Sequence, residues 1–124
     1  FPKRCKLFSL PKIVMSEILI AHCIVGPVLL AASSMMKLWP PKKINSFYGY
    51  RTPKSMKSQL AWDEANTYSA DLLLWAGIST ILIQVISYFV VGGHISLLIS
   101  IGYYLVFLIT SIILTERRLK LKGF

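Results

Sequence analysis

Charged residues are missing from long parts of this sequence. Residues 72–115 contain no Asp, Glu, Lys or Arg, and residues 18–36 contain none either. The longer run has 44 residues and would extend about 66 Å as one helix, roughly twice the thickness of a bilayer's hydrocarbon core. It therefore predicts two membrane spans, and the shorter run predicts one more. The sequence indicates an integral membrane protein.

A polar outer stripe, which the helices of a soluble bundle need, is also missing. Neither residues 78–91 nor residues 95–114 show one. Charged residues make up 15% of the chain, against about a quarter in soluble domains. A cleaved signal peptide is not expected at residues 18–36, because the apolar run exceeds the usual length of about 7–15 residues and no small-residue cleavage site follows it.

Acidic residues are scarce. Five Asp and Glu residues stand against 14 Lys and Arg residues, which gives a net charge of +9. A basic chain can bind nucleic acid, but these basic residues flank the apolar runs instead of lining one soluble face. Flanking Lys and Arg residues are typical of membrane proteins and are attracted to anionic lipids. We therefore expect anionic lipid head groups as partners, and no nucleic acid.

Cysteine is rare, and the common motifs of metal and catalytic sites are absent. Cys5 lies in the basic N-terminal region and Cys23 in the first apolar run, so we expect no disulfide. There is no CxxC or HExxH spacing, no glycine-rich phosphate loop and no nucleophile–base–acid set. Asp63 and Glu64 point about 100° apart on a helix, which argues against a metal site with Asp71. We predict no catalytic residues, no metal and no cofactor, and a protein that is not an enzyme.

The remaining pattern divides the chain into three parts. A basic tail, residues 1–14, precedes a membrane domain, residues 15–115, and a second basic tail, residues 116–124, follows it. Met15 stands just before the first apolar run, and one hypothesis is that the functional chain starts there. Within the membrane domain we predict spans at residues 17–37, 72–91 and 95–114, with a polar loop at residues 38–71.

The distribution of Lys and Arg residues sets the predicted orientation. The first span's end and the polar loop carry six, the C-terminal tail carries four, and the turn at residues 92–94 carries none. In a three-span protein the loop and the C-terminal tail lie on the same side, which the positive-inside rule places in the cytoplasm. Four basic residues near the N-terminus oppose this choice unless the chain starts at Met15. We predict the N-terminus outside and the C-terminus in the cytoplasm.

The polar loop is rich in turn-forming residues and is expected to be structured. In YGYRTP, residues 48–53, glycine permits unusual backbone angles and proline disfavours helix at Thr52. Ser55 is suited to cap a helix that starts at Met56 and enters the second span. One face of that helix is expected to lie on the membrane or the bundle: Trp62, Ala65, Ser69, Leu72 and Leu73.

The segment from Pro40 to Tyr68, PPKKINSFYGYRTPKSMKSQLAWDEANTY, resembles the signature of the bacterial SdpI family. The positions that carry the likeness are Asn45, residues 48–53, Ser55, Met56, Trp62, Ala65, Asn66 and Tyr68. The resemblance implies an all-α protein of the plasma membrane. The best-known member protects its producer from a secreted peptide toxin, and it draws a transcriptional repressor to the membrane when the toxin is present.

Seven residues form the candidate ligand- or partner-binding site: Asn45, Tyr48, Tyr50, Arg51, Trp62, Asn66 and Tyr68. Arg51 is the principal candidate, because its planar fork can hold a phosphate or a carboxylate with two parallel bonds. The alternative is that Arg51 pairs with Asp63 or Glu64 and locks the loop. Trp62 and Asn66 lie one helical turn apart, and they either receive the YGYR loop or form the floor of a pocket.

The predicted function is binding and not chemistry. We expect immunity or tolerance to a membrane-active peptide toxin, which the protein sequesters, together with a possible signalling role through a cytoplasmic regulator. The alternatives are an accessory subunit of a larger membrane complex and a small transporter or lipid-handling homo-oligomer. Inside the spans, His22, Cys23 and Gln84 are expected to join helices by hydrogen bonds, since no acidic partners are aligned for a proton relay.

Overall fold

The computed structural model describes residues 12–124, with side-chain surroundings from Glu17 onward. That part of the chain forms three α-helices and no strand: α1 (Lys12–Leu38), α2 (Gln59–Val90) and α3 (Gly93–Leu121). All three contain a segment long and apolar enough to cross a membrane. The prediction of an all-α, three-helix membrane protein is confirmed. Most of the predicted N-terminal tail, including Cys5, lies outside the described residues.

The second helix is the centre of the bundle, because it packs extensively against both α1 and α3, which meet each other at few points. At the end of α2, the N–H groups of Val91 and Gly92 both donate to the carbonyl of Ser87. Gly92 and Gly93 then adopt φ angles of 62° and 59°, a region open mainly to glycine. The chain therefore reverses within two residues, and α2 and α3 are antiparallel neighbours.

Small and polar side chains form the contacts between the helices. Lipid tails are as apolar as leucine, so helices in a membrane associate by close approach and hydrogen bonding more than by burial of large side chains. Many buried hydroxyl groups are satisfied within their own helix, as in the bond from Thr80 Oγ1 to the Ala76 carbonyl at 2.7 Å. The buried small residues include Ser33, Ala61, Ala65, Ser69, Ala70, Ala76, Thr80, Ser96, Ser100, Ser111 and Thr115.

Hydrogen bonds inside the apolar region connect α1 to the other two helices. His22 Nε2 lies 2.7 Å from Ser96 Oγ on α3, and Ser33 Oγ lies 2.8 Å from the Tyr104 hydroxyl. Gln84 Nε2 on α2 donates to the carbonyl of His22 at 3.2 Å. These contacts agree with the joining role expected for His22 and Gln84. Cys23, by contrast, is an exposed free thiol.

The helices extend beyond the predicted spans, and one predicted cap is wrong. The second helix starts at Gln59, so that much of the predicted polar loop is helical, and α3 continues to Leu121 through most of the predicted C-terminal tail. The cap of α2 is Ser58, whose Oγ accepts from the N–H of Ala61 at 3.1 Å. Ser55 does not cap the helix, because its hydroxyl group is bonded within the preceding turn.

Replacement of Gly77 by Val is expected to destabilise the bundle by about 1–3 kcal/mol, the usual cost of overpacking. A Cβ atom at Gly77 would lie 3.1 Å from Leu30 Cα and 3.0 Å from Ser33 Cβ, both on α1. The matched control is Gly102→Val, because a Cβ atom there meets no described atom within 4 Å. Thermal unfolding in detergent provides the measurement, and equal losses in both variants would contradict the close α1–α2 contact.

Candidate functional site

Trp62 is the first anchor of the loop that joins α1 to α2, residues 39–58, which we name the docked loop. The Trp62 side chain is fully buried, and its Nε1 donates to the carbonyl of Pro41 at 2.9 Å. One turn earlier on the same helix, Gln59 Nε2 donates to the carbonyl of Lys42 at 2.8 Å. The start of the docked loop is therefore bound along the first turns of α2.

Asn66 is the second anchor, one turn after Trp62. Its Oδ1 accepts from the backbone N–H of Tyr50 at 2.6 Å, and its Nδ2 donates to the carbonyl of Trp62 at 2.8 Å. Gly49 lies between the two anchors with φ 114°. A Cβ atom at Gly49 would lie 2.6 Å from Asn66 Oδ1 and 2.8 Å from Pro41 Cγ. The close approach of loop and helix therefore requires glycine at this position.

Two polar side chains shape the interior of the docked loop. Asn45 Oδ1 accepts from the N–H groups of Phe47 and Tyr48 at 2.9 and 2.8 Å, which fixes one turn. Ser55 Oγ donates to the carbonyl of Tyr50 at 2.9 Å and accepts from the N–H of Thr52 at 2.8 Å, which fixes the next. These bonds satisfy backbone groups of the docked loop within the protein.

The side chain of Tyr50 connects the docked loop to the third helix. Its hydroxyl group donates to Glu116 Oε1 at 3.1 Å and lies 3.2 Å from the Ile112 carbonyl, while Lys54 Nζ lies 3.5 Å from Glu116 Oε2. Burial and the neighbouring Glu116 carboxylate raise the pKa of Tyr50 above its usual value of about 10. The hydroxyl group therefore keeps its proton and remains a donor at physiological pH.

Glu64 on α2 binds two basic side chains of α3. Its Oε1 lies 2.5 Å from Arg118 Nε, and its Oε2 lies 2.8 Å from Lys122 Nζ. The guanidinium carbon of Arg118 also stands 4.4 Å from the centre of the Tyr68 ring. Two turns further along the same face of α2, Asp71 forms an ion pair with Lys37 of α1.

The alternative in which Arg51 locks the loop by pairing with Asp63 or Glu64 is wrong. Glu64 is engaged by α3, and Asp63 Oδ1 accepts from Gln59 Nε2 at 2.7 Å. Arg51 is exposed and forms no ion pair with any residue whose side chain the structure describes. The lock is instead made by uncharged groups on Trp62 and Asn66.

The side chains of the seven predicted site residues differ in what they contact. Asn45, Tyr50 and the two anchors use their polar groups within the protein. Tyr68 lies beneath Arg118, away from the docked loop. Arg51 remains exposed, and the hydroxyl group of Tyr48 is buried with no hydrogen-bond partner among the described residues.

Sequence reasoning missed the residues of α3 that complete this region. Glu116 and Arg118 were assigned only to a basic tail, although Glu116 is the single acid among residues 72–124. That isolated acid amid basic residues was the available signal. Within the described part of the chain, no group of three or more His, Cys, Asp or Glu residues is arranged to hold a metal ion.

Comparisons with known proteins show the family to which this region belongs. The model of the SdpI/YfhL protein family matches residues 42–115, which cover most of the docked loop, all of α2 and most of α3. The chain belongs to the SdpI/YfhL family. It is similar to the uncharacterized protein YfhL of Bacillus subtilis (strain 168), with 41% identity over 103 residues, 77% of this chain and 83% of that protein. No solved structure matches it.

For this SdpI/YfhL family member, Asn66→Leu is expected to detach the docked loop from α2. The change leaves the N–H of Tyr50 without its acceptor, at a cost of about 1–3 kcal/mol. Trypsin cleavage after Arg51, Lys54 or Lys57 would then become about 5- to 150-fold faster, if cleavage follows the population of the open loop. The control is Thr67→Leu, an exposed neighbour on the same helix. Unchanged cleavage in Asn66→Leu would contradict the anchor.

Proposed function

We propose that this SdpI/YfhL family protein gives its cell tolerance to a membrane-active peptide by binding the peptide, without chemical conversion. The observation that carries the proposal is a loop fixed to two helices that presents an exposed arginine, which forms no ion pair with any side chain among residues 17–124. The carbonyl of Pro41 and the N–H of Tyr50 hold the backbone on α2, and the Tyr50 hydroxyl holds it on α3. Family membership supports a role in the membrane, and the loop supplies the binding surface.

The chemistry of the exposed groups matches a peptide that enters the bilayer boundary. Arg51 can hold a carboxylate, such as a peptide's C-terminus, through two parallel hydrogen bonds. Phe47, four residues earlier in the same loop, has 93% of its surface exposed and can contact apolar side chains or lipid. Because the backbone between Phe47 and Arg51 is already ordered, binding a peptide costs mainly the conformational entropy of these two side chains.

Survival of a sensitive bacterium that expresses this chain tests the proposal. Cells with the wild-type protein are expected to survive at least one member of a panel of membrane-active peptides, and cells with Arg51→Ala are expected to lose that protection. Lys57→Ala is the matched control, since Lys57 is also an exposed cation next to the same helix. Membrane levels of all three proteins are compared by immunoblot.

Three results of this experiment would contradict the proposal. If the wild-type protein protects the cells from no peptide of the panel, the proposed function is wrong. If Arg51→Ala and Lys57→Ala lose protection equally, both cations act by general attraction to anionic lipid, and Arg51 is not a specific receptor for the peptide. Full protection by a normally abundant Arg51→Ala variant would show that the arginine is not part of the binding surface.

The orientation of the protein forms part of the same proposal. The docked loop and the end of α3 lie on one side, because Tyr50 and Lys54 both reach Glu116. Their basic residues favour the cytoplasmic side of the plasma membrane. Green fluorescent protein fused after Phe124 is expected to fluoresce, and alkaline phosphatase fused there is expected to be inactive. An active phosphatase would place the docked loop outside and reverse the predicted orientation.

A further inference from the structure

Arg118 is held in one position by two neighbours from α2. Its Nε is 2.5 Å from Glu64 Oε1, and its guanidinium group lies over the ring of Tyr68. The two terminal amino groups contact no other carboxylate among residues 17–124. An arginine fixed through Nε and through one face has its other donors oriented in advance, which favours an anion that offers two oxygen acceptors, such as a phosphodiester.

The fixed guanidinium group lines a cavity of about 370 Å³ between α2 and the end of α3. One face of α2 forms the other wall, at positions spaced by three or four residues, and this wall includes Tyr68, Asp71 and Trp75. The cavity thus combines a cation whose terminal amino groups contact no second carboxylate among residues 17–124, the carboxylates of Glu64 and Asp71, and two aromatic rings. Such a combination of mostly apolar walls and a few polar groups is typical of ligand sites.

The location of the cavity identifies what kind of molecule reaches it. Leu72, which also lines the cavity, is the first residue of the charge-free run, so the cavity lies at the boundary between head groups and hydrocarbon. Trp75 has 63% of its surface exposed just inside that boundary, as expected for an aromatic residue that contacts lipid. A membrane lipid can place its polar part on Arg118 and its chains along Trp75.

The charges around the cavity select among lipid head groups. Both oxygens of Glu64 are engaged by Arg118 and Lys122, which reduces their repulsion of a phosphate. Asp71 pairs with Lys37 through Oδ1, and its side chain remains about half exposed. A carboxylate accepts about four hydrogen bonds, so Asp71 has capacity for a second cation. A zwitterion with a phosphate and a primary ammonium therefore complements the cavity.

We propose that this cavity binds the head group of phosphatidylethanolamine, with the phosphate on the terminal amino groups of Arg118 and the ammonium on Asp71. Free phosphate lacks the apolar part that Leu72 and Trp75 would contact. The head group of phosphatidylcholine has no N–H donor for Asp71, and that of phosphatidylglycerol has no cation. The site is distinct from Arg51 and does not depend on the function proposed above.

Native mass spectrometry of the purified protein in mild detergent tests this assignment with phosphatidylethanolamine, phosphatidylcholine and phosphatidylglycerol of identical chains. The wild-type protein is expected to retain one phosphatidylethanolamine in preference to the other two. Arg118→Gln should weaken retention at least about tenfold, as expected for loss of charge-assisted hydrogen bonds. Asp71→Asn should abolish the preference over phosphatidylglycerol while binding of the phosphate persists. Excess inorganic phosphate should not displace the lipid.

Two controls separate lipid binding from folding. Arg117→Gln removes an equal charge from the exposed neighbouring position and should leave retention unchanged. Arg118→Lys keeps a cation opposite Glu64 but loses the planar fork, so it should fold, by circular dichroism, and still bind more weakly. Equal effects of the Arg117 and Arg118 variants would overturn the proposal. So would equal retention of all three lipids by the wild-type protein, or displacement of the lipid by inorganic phosphate.

Discussion

The hydrogen bonds that Trp62 and Asn66 make to the connecting loop are the interactions on which the rest of this face depends. An irregular connection lacks the regular backbone hydrogen bonds of a helix, so side chains of α2 supply partners for two of its backbone groups. The indole N–H holds the Pro41 carbonyl, and the Asn66 amide oxygen holds the Tyr50 N–H. With the backbone fixed at these two points, the Tyr50 side chain reaches α3.

The membrane part of the bundle is organised on a different principle, since it has few large buried side chains. The second helix offers alanine, glycine and serine to both neighbours, and hydrogen bonds from His22 and Ser33 connect α1 to α3. Such contacts fix the distance between helices more than they supply stability, because each bond contributes only about 0.6 kcal/mol on average in a membrane. At this distance between α2 and α3, Glu64 of α2 lies opposite Arg118 of α3, and the two side chains form an ion pair.

The sequence predicted those features that depend on local pattern, and not those that depend on how α2 and α3 are rotated. Missing charges defined three apolar helices. The spacing of Trp62 and Asn66 suggested either a receptor for the YGYR loop or the floor of a pocket. In the structure Asn66 binds Tyr50 of that loop, whereas Trp62 binds Pro41. The choice between Ser55 and Ser58 as the cap could not be made from propensity, because both are serine and only tertiary contacts of Ser55 decide it. Arg118, one of the two basic partners of Glu64, lies 54 residues away, so the pairing depends on the rotation of α3.

Arg51 and Arg118 lie on the same side of the protein and differ in whether the backbone or the side chain is held in place. Arg51 extends from a fixed backbone and its side chain is exposed, which suits a partner that arrives and leaves. Arg118 has a fixed side chain on a helix, which suits a component that remains in place. Glu116 lies two residues from Arg118 and accepts from the Tyr50 hydroxyl group. This hydrogen bond joins the docked loop, which carries Arg51, to the helix that carries Arg118.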